Sequence, residues 1–171
     1  MSIVVNLFAG PGTGKSTIMA GVFHTLKWKG ISCEMAPEFA KEVVWGDRHA
    51  QLDDQLYIFA KQHHRLRRLV NKVDVVITDS PLMFGILYGH TESEKFKALV
   101  HETFNKYENL NYLLSRTKPY DPAGRTQSKF EAIDLDRNIE ILLATWGVPY
   151  RDAVAYNRTC FDIARHIEEK L

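Results

Sequence analysis

An α/β fold built on a parallel sheet covered on both faces is the architecture this sequence predicts, and three observations predict it. The apolar run Ile3-Val4-Val5-Asn6-Leu7-Phe8 leads straight into a glycine-rich turn, Ala9 to Gly14. A second strand-type run, Val73–Thr78, has the composition of a strand buried on both sides. Around these, strand-like and helix-like stretches alternate along the chain, which sets parallel strands side by side with helices over them.

The elements follow in order. After the first strand and turn, a helix begins at Lys15 or Ser16 and continues through IMAGVFHTLKWKG. Ile31–Ala36 reads as a short strand stopped by Pro37, because proline cannot donate to a sheet. Two helical stretches follow, Glu38–Trp45 and Leu52–Val70, separated by the polar turn GDRHAQ. Val73–Thr78 is the third strand and ends in the turn starter Asp79-Ser80-Pro81. Glu92–Glu108 is expected to be helical, Leu110–Ser115 a strand, and Arg116–Gln127 a polar, turn-rich loop. A long helix over Ser128–Trp146, a short strand over Val148–Arg151 and a closing helix over Asn157–Lys170 complete the pattern. In such a sheet, sites lie at the carboxyl ends of the strands.

Composition sets the class. A chain of 171 residues reads as one domain, 1–171, able to bury roughly 70% of its unfolded surface. Its 45% hydrophobic and 25% charged content is that of a soluble globular protein. The net charge of +1 supplies no global drive toward nucleic acid or membrane, although local basic patches are compatible with it. The two cysteines, Cys33 and Cys160, lack metal-ligand spacing and suit a reducing cytoplasm. No targeting segment or membrane span is expected, since the first strand starts directly after Met1.

The turn FAGPGTGKST carries the strongest chemical signal. A glycine-rich turn leaves backbone N–H groups free to converge on an anion, and the helix that follows adds its positive end at the same point. Gly10, Gly12, Thr13 and Gly14 form the cradle; Lys15 reaches the β- and γ-phosphates; the Ser16 hydroxyl ligates Mg²⁺; Thr17 faces the α-phosphate or caps the helix. Ala9 stands where such turns usually carry their first glycine, and alanine suits a turn of negative φ.

Two acids at strand ends extend the site. Asp79 is placed to hold Mg²⁺ directly or through water, or to serve as a helix N-cap. Ser80 follows it, where motor ATPases usually have a carboxylate that activates water, which turns the reading from hydrolysis toward transfer. Glu38, at the end of the second strand, is placed to accept a proton from an attacking hydroxyl or to orient it, with a first-turn helix acid as the plainer alternative. Asp79 is the rival base. Arg116, Lys118 and Arg125 lie in the loop after the fourth strand. There they read as a lid that brings guanidinium groups to the transferring phosphoryl, or as a solvated charge run.

The order of these pieces resembles the small P-loop kinases, the nucleoside and nucleotide kinase group. More narrowly it resembles the subfamily that contains the nicotinamide riboside kinase domain and related phage-encoded ATPases. The motifs that carry it are AGPGTGKST, PEFAKE, VITDSP and YLLSRTKPYDPAGRTQSKFEAIDLD, from Val4 to about Asp136. The resemblance implies a three-layer α/β/α fold with five parallel strands in order 2-3-1-4-5, a lid at about 116–127, ATP·Mg²⁺ as donor and a hydroxyl acceptor. By position it assigns Lys15 and Ser16 to ATP, Glu38 and Asp79 to acceptor and metal, and Arg116 and Arg125 to the lid. Some phage members of that subfamily phosphorylate 5-hydroxymethyluracil in DNA. That acceptor is the expectation here, in the cytoplasm of an infected host, with a free nucleoside, a nucleotide or nicotinamide riboside as the alternative.

The acceptor side is expected between Glu38 and Val73. Gln55, Phe59 and Gln62 recur at i, i+4 and i+7, one helix face on which glutamine and an aromatic ring could hold a base, or which could simply pack. Trp45, Arg48, His49, Tyr57 and His63 are further candidates. Arg65, Arg67 and Arg68 with flanking lysines make residues 61–72 a phosphate-tracking patch or a solvated helix face.

Overall fold

The computed structural model of the protein describes residues 1–89, 91–117 and 128–171. Its strands are β1 (Ile3–Phe8), β2 (Cys33–Ala36), β3 (Val75–Thr78), β4 (Glu108–Ser115) and β5 (Arg151–Val154). They form one sheet in the order β2-β3-β1-β4-β5, every neighbouring pair parallel. The order implied by the resemblance is therefore observed. The helices are α1 (Lys15–Trp28), α2 (Phe39–Trp45), α3 (Gln55–Arg67), α4 (Phe84–Tyr88), α5 (Glu94–Phe104), α6 (Lys129–Thr145) and α7 (Thr159–Glu168).

β1 lies at the centre, and all six of its residues are buried, because helices close both faces of the sheet. Val5 and Leu7 meet Ile18, Val22 and Leu26 of α1 and Ile163 and Ile167 of α7 on one face. Val4 and Phe8 meet Phe59 of α3, Val100 of α5 and Ile139 and Leu143 of α6 on the other. Each fully buried aliphatic or aromatic side chain contributes about 1.5–3 kcal/mol, so these two clusters supply most of the drive to fold.

One polar residue interrupts β1. Asn6 is 1% exposed, and its Nδ2 donates to Oδ1 of both Asn109 and Asn111 at 2.9 Å. Asn111 Nδ2 in turn donates to the Pro149 carbonyl, also at 2.9 Å. This chain ties the central strand to β4 and to the turn before β5, and it specifies their register.

The element boundaries depart from the sequence expectation most visibly in four places. The fifth strand starts at Arg151, not Val148. Val148 is instead spent closing α6: Gly147 takes φ 62 and the Val148 amide donates to the Leu143 carbonyl at 2.9 Å. The polar turn after α2 contains a short 3-10 helix over His49–Asp53, and α3 begins later than expected because Asp54 caps it through the Tyr57 amide. α5 ends at Phe104 and β4 already begins at Glu108, which pairs with Ile3. α4 was not expected at all. It is a five-residue turn that seats Phe84 and Ile86 in the core.

Among the described residues, no helix is long and apolar enough to cross a membrane. The expected lid falls largely outside the described residues, and Lys118 and Arg125 with it.

Replacing Asn6 with valine would strand the buried acceptor of Asn111 and the half-buried one of Asn109. We expect the variant to lose about 1–3 kcal/mol of stability, read as a lower urea midpoint with unchanged slope. An unaltered midpoint would show that the amide chain contributes nothing to the fold.

Candidate active site

The turn between β1 and α1 has the backbone of an anion cradle. Gly12 and Gly14 adopt φ 78 and φ 108, values that side-chain-bearing residues rarely reach, and Gly14 is the N-cap from which α1 starts at Lys15. Thr13 is buried and its Oγ1 donates to the Gly10 carbonyl at 2.9 Å, holding the turn closed. Ala9 is buried without a positive φ, so alanine is accommodated there. Gly10 is required for a different reason. A Cβ on it would lie 2.5 Å from Oδ1 of Asp136 and 2.8 Å from the Ala132 carbonyl.

Lys15 Nζ donates to the carbonyls of Ala9 (2.8 Å) and Gly10 (3.0 Å). It lines the cavity, but protein crowds it on its other sides, and this burial lowers its pKa. Nearby Glu38, Asp79 and Asp136 oppose that shift, while Arg116 adds to it. The lysine is thus a desolvated cation set among three acids, poised for the phosphate charge that the turn attracts.

Asp79 closes the far side of the cradle. It is 2% exposed at the end of β3, and each of its oxygens has a partner. Oδ2 accepts from the Ser16 hydroxyl at 2.5 Å and Oδ1 from the Glu38 amide at 3.0 Å. The helix N-cap alternative is therefore not its role: its bonds reach α1 and the corner between β2 and α2. Ser16 and Asp79 present hard oxygen donors at one point, a donor set suited to Mg²⁺. Among the described residues no group of three or more acids, histidines or cysteines is arranged to hold a metal ion. Phosphate oxygens and water would have to complete such a coordination shell.

Glu38 carries the other carboxylate. Its backbone is held by Asp79 while its side chain lines the cavity, which leaves the carboxylate free to meet a substrate. Burial raises its pKa; Lys15 and Lys41 pull it down and Asp79 pushes it up. The carboxyl therefore sits above the ordinary glutamate range and is a stronger base than an exposed glutamate.

The cavity measures about 560 Å³ and extends from the phosphate turn to a second, more apolar half. That half is walled by Val44 and Trp45 of α2, Ile58 of α3, and Phe84 and Tyr88 of α4. α4 and Tyr88 escaped the sequence reading. Their only signal was the aromatic pair Phe84/Tyr88 one helical turn apart, and those rings do pack edge-on at 6.0 Å. Burial of the Tyr88 hydroxyl, with the charges of Glu38 and Asp136 nearby, pushes its pKa up, so it stays a neutral donor.

Of the two readings open for the helix face, Phe59 and Gln62 take the packing one. Gln55 lines the cavity with Nε2 bound to the Leu52 carbonyl at 2.6 Å. Phe59 is 7% exposed and belongs to the core, packed against Phe96 and His63. Gln62 serves the protein's own backbone: Oε1 accepts from the Phe39 amide at 2.9 Å, and Nε2 lies 3.4 Å from both the Pro37 carbonyl and Thr78 Oγ1. It braces the corner that carries Glu38, which is a packing reason for a glutamine at that spacing. Tyr57 packs on Phe39, and His63 bonds to the Tyr107 hydroxyl at 2.8 Å.

The basic segment lies away from the cavity. α3 runs from Gln55 at the site back toward the start of the sheet, where the Asn71 amide donates to Ser2 Oγ. Arg65 is already engaged by Glu42 and the Pro37 carbonyl and stacks on Phe39. Arg67, Arg68 and Lys72 are exposed near the amino ends of the strands, opposite to the phosphate turn. Arg116, expected in the lid, is seated beside the phosphate turn on Asp136 and the Pro11 carbonyl.

A family model described as an AAA domain matches residues 4–156. The chain belongs to that family. Two solved structures share its fold. "Crystal structure of NadR protein in complex with NR" superposes with a TM-score of 0.76 at 15% identity, covering 98% of this chain and 52% of that one. "Crystal structure of NadR protein in complex with NAD and AMP-PNP" gives 0.74 at 14% identity, covering 98% and 50%. This AAA-family chain thus spans about half the length of each, and the likeness is one of fold. No curated protein matches the sequence.

The raised pKa of Glu38 makes stability depend on pH. An acid whose folded pKa exceeds its unfolded value keeps its proton longer in the fold, so stability falls as pH rises between the two values. Without nucleotide, we expect the melting temperature of wild type to decline through the range just above the ordinary glutamate pKa. Glu38→Gln should lack that decline; parallel melting curves against pH would exclude a desolvated carboxylate.

Proposed function

We propose that this chain is an ATP-dependent phosphotransferase, a single kinase domain over 1–171 that moves the γ-phosphate of ATP to a hydroxyl. The observation that carries this reading is the division of labour between the two acids. Asp79 is bound to Ser16 at the metal side, while Glu38 points its carboxylate into the cavity that joins the phosphate turn to the acceptor half. The residue after Asp79 is Ser80, whose amide donates to Thr78 Oγ1, so no second acid stands there to activate water. The AAA family and the P-loop kinase fold are consistent with a nucleotide donor, and one NadR structure holds AMP-PNP.

In the transfer, Glu38 accepts the proton of the acceptor hydroxyl as its oxygen bonds to the γ-phosphorus. The bond between that phosphorus and the bridging oxygen breaks, and ADP leaves with the electron pair. Lys15 offsets the charge on the β- and γ-oxygens, aided by the turn amides around Gly12, Thr13 and Gly14. Ser16 and Asp79 would hold Mg²⁺, which supplies Lewis-acid neutralisation of the phosphates when bound. Thr17 follows toward the α-phosphate, and Arg125 completes the charge from the lid.

The finer reading of the acceptor is 5-hydroxymethyluracil in DNA, supported by the subfamily resemblance and by an acceptor half walled with aromatic rings. Such a base has to leave its stack to reach Glu38, at a cost of a few kcal/mol. The second reading is a free nucleoside or nicotinamide riboside. The distance of Arg67, Arg68 and Lys72 from the cavity favours it, and so does the NadR structure with NR. An ATPase switch is the remaining class.

One assay separates the three. Labelled ATP is offered with hydroxymethyluracil DNA, unmodified DNA, free nucleosides and nicotinamide riboside. Label in the modified DNA alone supports the polymer, and label only in a small molecule overturns it. ATP turnover indifferent to every acceptor would refute the kinase. In whichever arm is active, Lys15→Ala should lower transfer by at least about 100-fold while leaving the fold intact.

The two acids should separate in a metal titration. Asp79→Asn is expected to raise the Mg²⁺ needed for half-maximal rate. Glu38→Gln should leave that requirement unchanged and cut kcat by about 100-fold or more. The reverse pattern would exchange their roles.

A further inference from the structure

Asp136, on the inner side of α6, is an acid at the edge of an anion-binding turn. Its Oδ1 accepts the Gly10 amide at 2.6 Å, and its Oδ2 lies 3.0 Å from Nη2 and 3.3 Å from Nε of Arg116. Arg116 Nη1 donates to the Pro11 carbonyl at 2.9 Å. Both side chains are largely shielded, at 17% and 31% exposure, so solvent screens them weakly. α6 comes so close that only glycine fits at position 10: a Cβ would meet both Asp136 and the Ala132 carbonyl.

A carboxylate in this place poses an electrostatic problem. The turn draws polyphosphate by concentrating positive potential, and a bare acid against its first residues opposes that. Arg116 removes the opposition while its own bonds hold the turn from the other side. The Gly10 amide lies at the start of the turn, ahead of Gly12–Ser16, so its bond to Asp136 leaves the later amides for phosphate.

We propose that Asp136 is a positioning residue of the nucleotide site: it clamps the start of the phosphate turn through the Gly10 amide and acts as one charge-neutral unit with Arg116. Arg116 is then first the counter-ion of Asp136 and only second a group facing phosphate. The inference rests on the reading that this turn binds ATP, but not on what accepts the phosphate.

The pair makes a counterintuitive genetic expectation. Arg116→Ala leaves Asp136 uncompensated beside the polyphosphate and should weaken Mg·ATP binding by about tenfold or more. Asp136→Asn keeps an oxygen for the Gly10 amide and removes the charge. On its own it leaves Arg116 as an unbalanced cation beside the turn and should tighten binding several-fold rather than weaken it. In the Arg116→Ala background it should restore most of the lost affinity. Calorimetric titration of Mg·AMP-PNP into the four proteins closes the cycle, and melting temperatures confirm that each is folded. A merely structural aspartate would lower the melting temperature without rescuing Arg116→Ala. Should Arg116→Ala fail to fold, Arg116→Gln takes its place in the same cycle.

Rescue by the second substitution is the expected result. Two independent, additive losses, or an Arg116→Ala protein that binds as wild type does, would overturn the proposal. Because the readout is binding, it stands apart from the kinase assignment, whose failure appears as turnover that needs no acceptor.

Discussion

The carboxylate of Asp79 joins three segments that the parallel sheet brings to one edge. It sits at the end of β3, takes the Ser16 hydroxyl from the first turn of α1, and takes the Glu38 amide from the corner between β2 and α2. A buried ionised acid is costly unless both oxygens are bonded, and here both are. The glycine turn, the Ser16 hydroxyl and the corner that carries Glu38 are thereby held in a single frame. β3 can deliver Asp79 to this place because it lies between β2 and β1 and runs parallel to both.

Around that frame the charges are closely balanced. Lys15 faces Glu38, Asp79 and Asp136, and Arg116 stands against Asp136. Such a site is near neutral when empty, so the arrival of a polyanion and a divalent cation shifts it without leaving an unpaired buried charge. The same balance tunes the acid that the proposed transfer needs. Burial and the nearby charge of Asp79 raise the pKa of Glu38, and the two lysines limit the rise. Gln62 and Arg65 keep the corner that carries Glu38 rigid through its carbonyls and the Phe39 amide.

Legibility in the sequence followed the range of the interaction. β1, the glycine turn and the first turn of α1 are contiguous, so Gly12, Gly14, Lys15 and Ser16 could be read from local chemistry, and the turn has the positive φ values that its glycines anticipated. Asp79 and Glu38 were legible as acids at strand ends, but which one stays free was not, since that depends on a hydrogen bond 41 residues apart in the chain. At Gln55, Phe59 and Gln62 periodicity located a helix face without deciding between binding and packing. The face was real, yet Phe59 fills the core and Gln62 binds backbone, because a helix face against a sheet is a packing surface before it is a binding surface.

By itself the sequence determined the layers of this protein, the central place of the phosphate turn and the chemical kind of its cation and hydroxyl. These rest on apolar runs, glycine spacing and residue type, all of which act over a few neighbouring residues. Tertiary structure alone decided that Tyr88 enters the cavity, that Arg116 belongs to Asp136, and that the basic end of α3 points away from the site. Each of those depends on the sheet order, which brings β4 beside β1 and lays α6 against the phosphate turn across 126 residues of chain. No local preference encodes a contact of that span; it follows from burying both faces of one sheet at once.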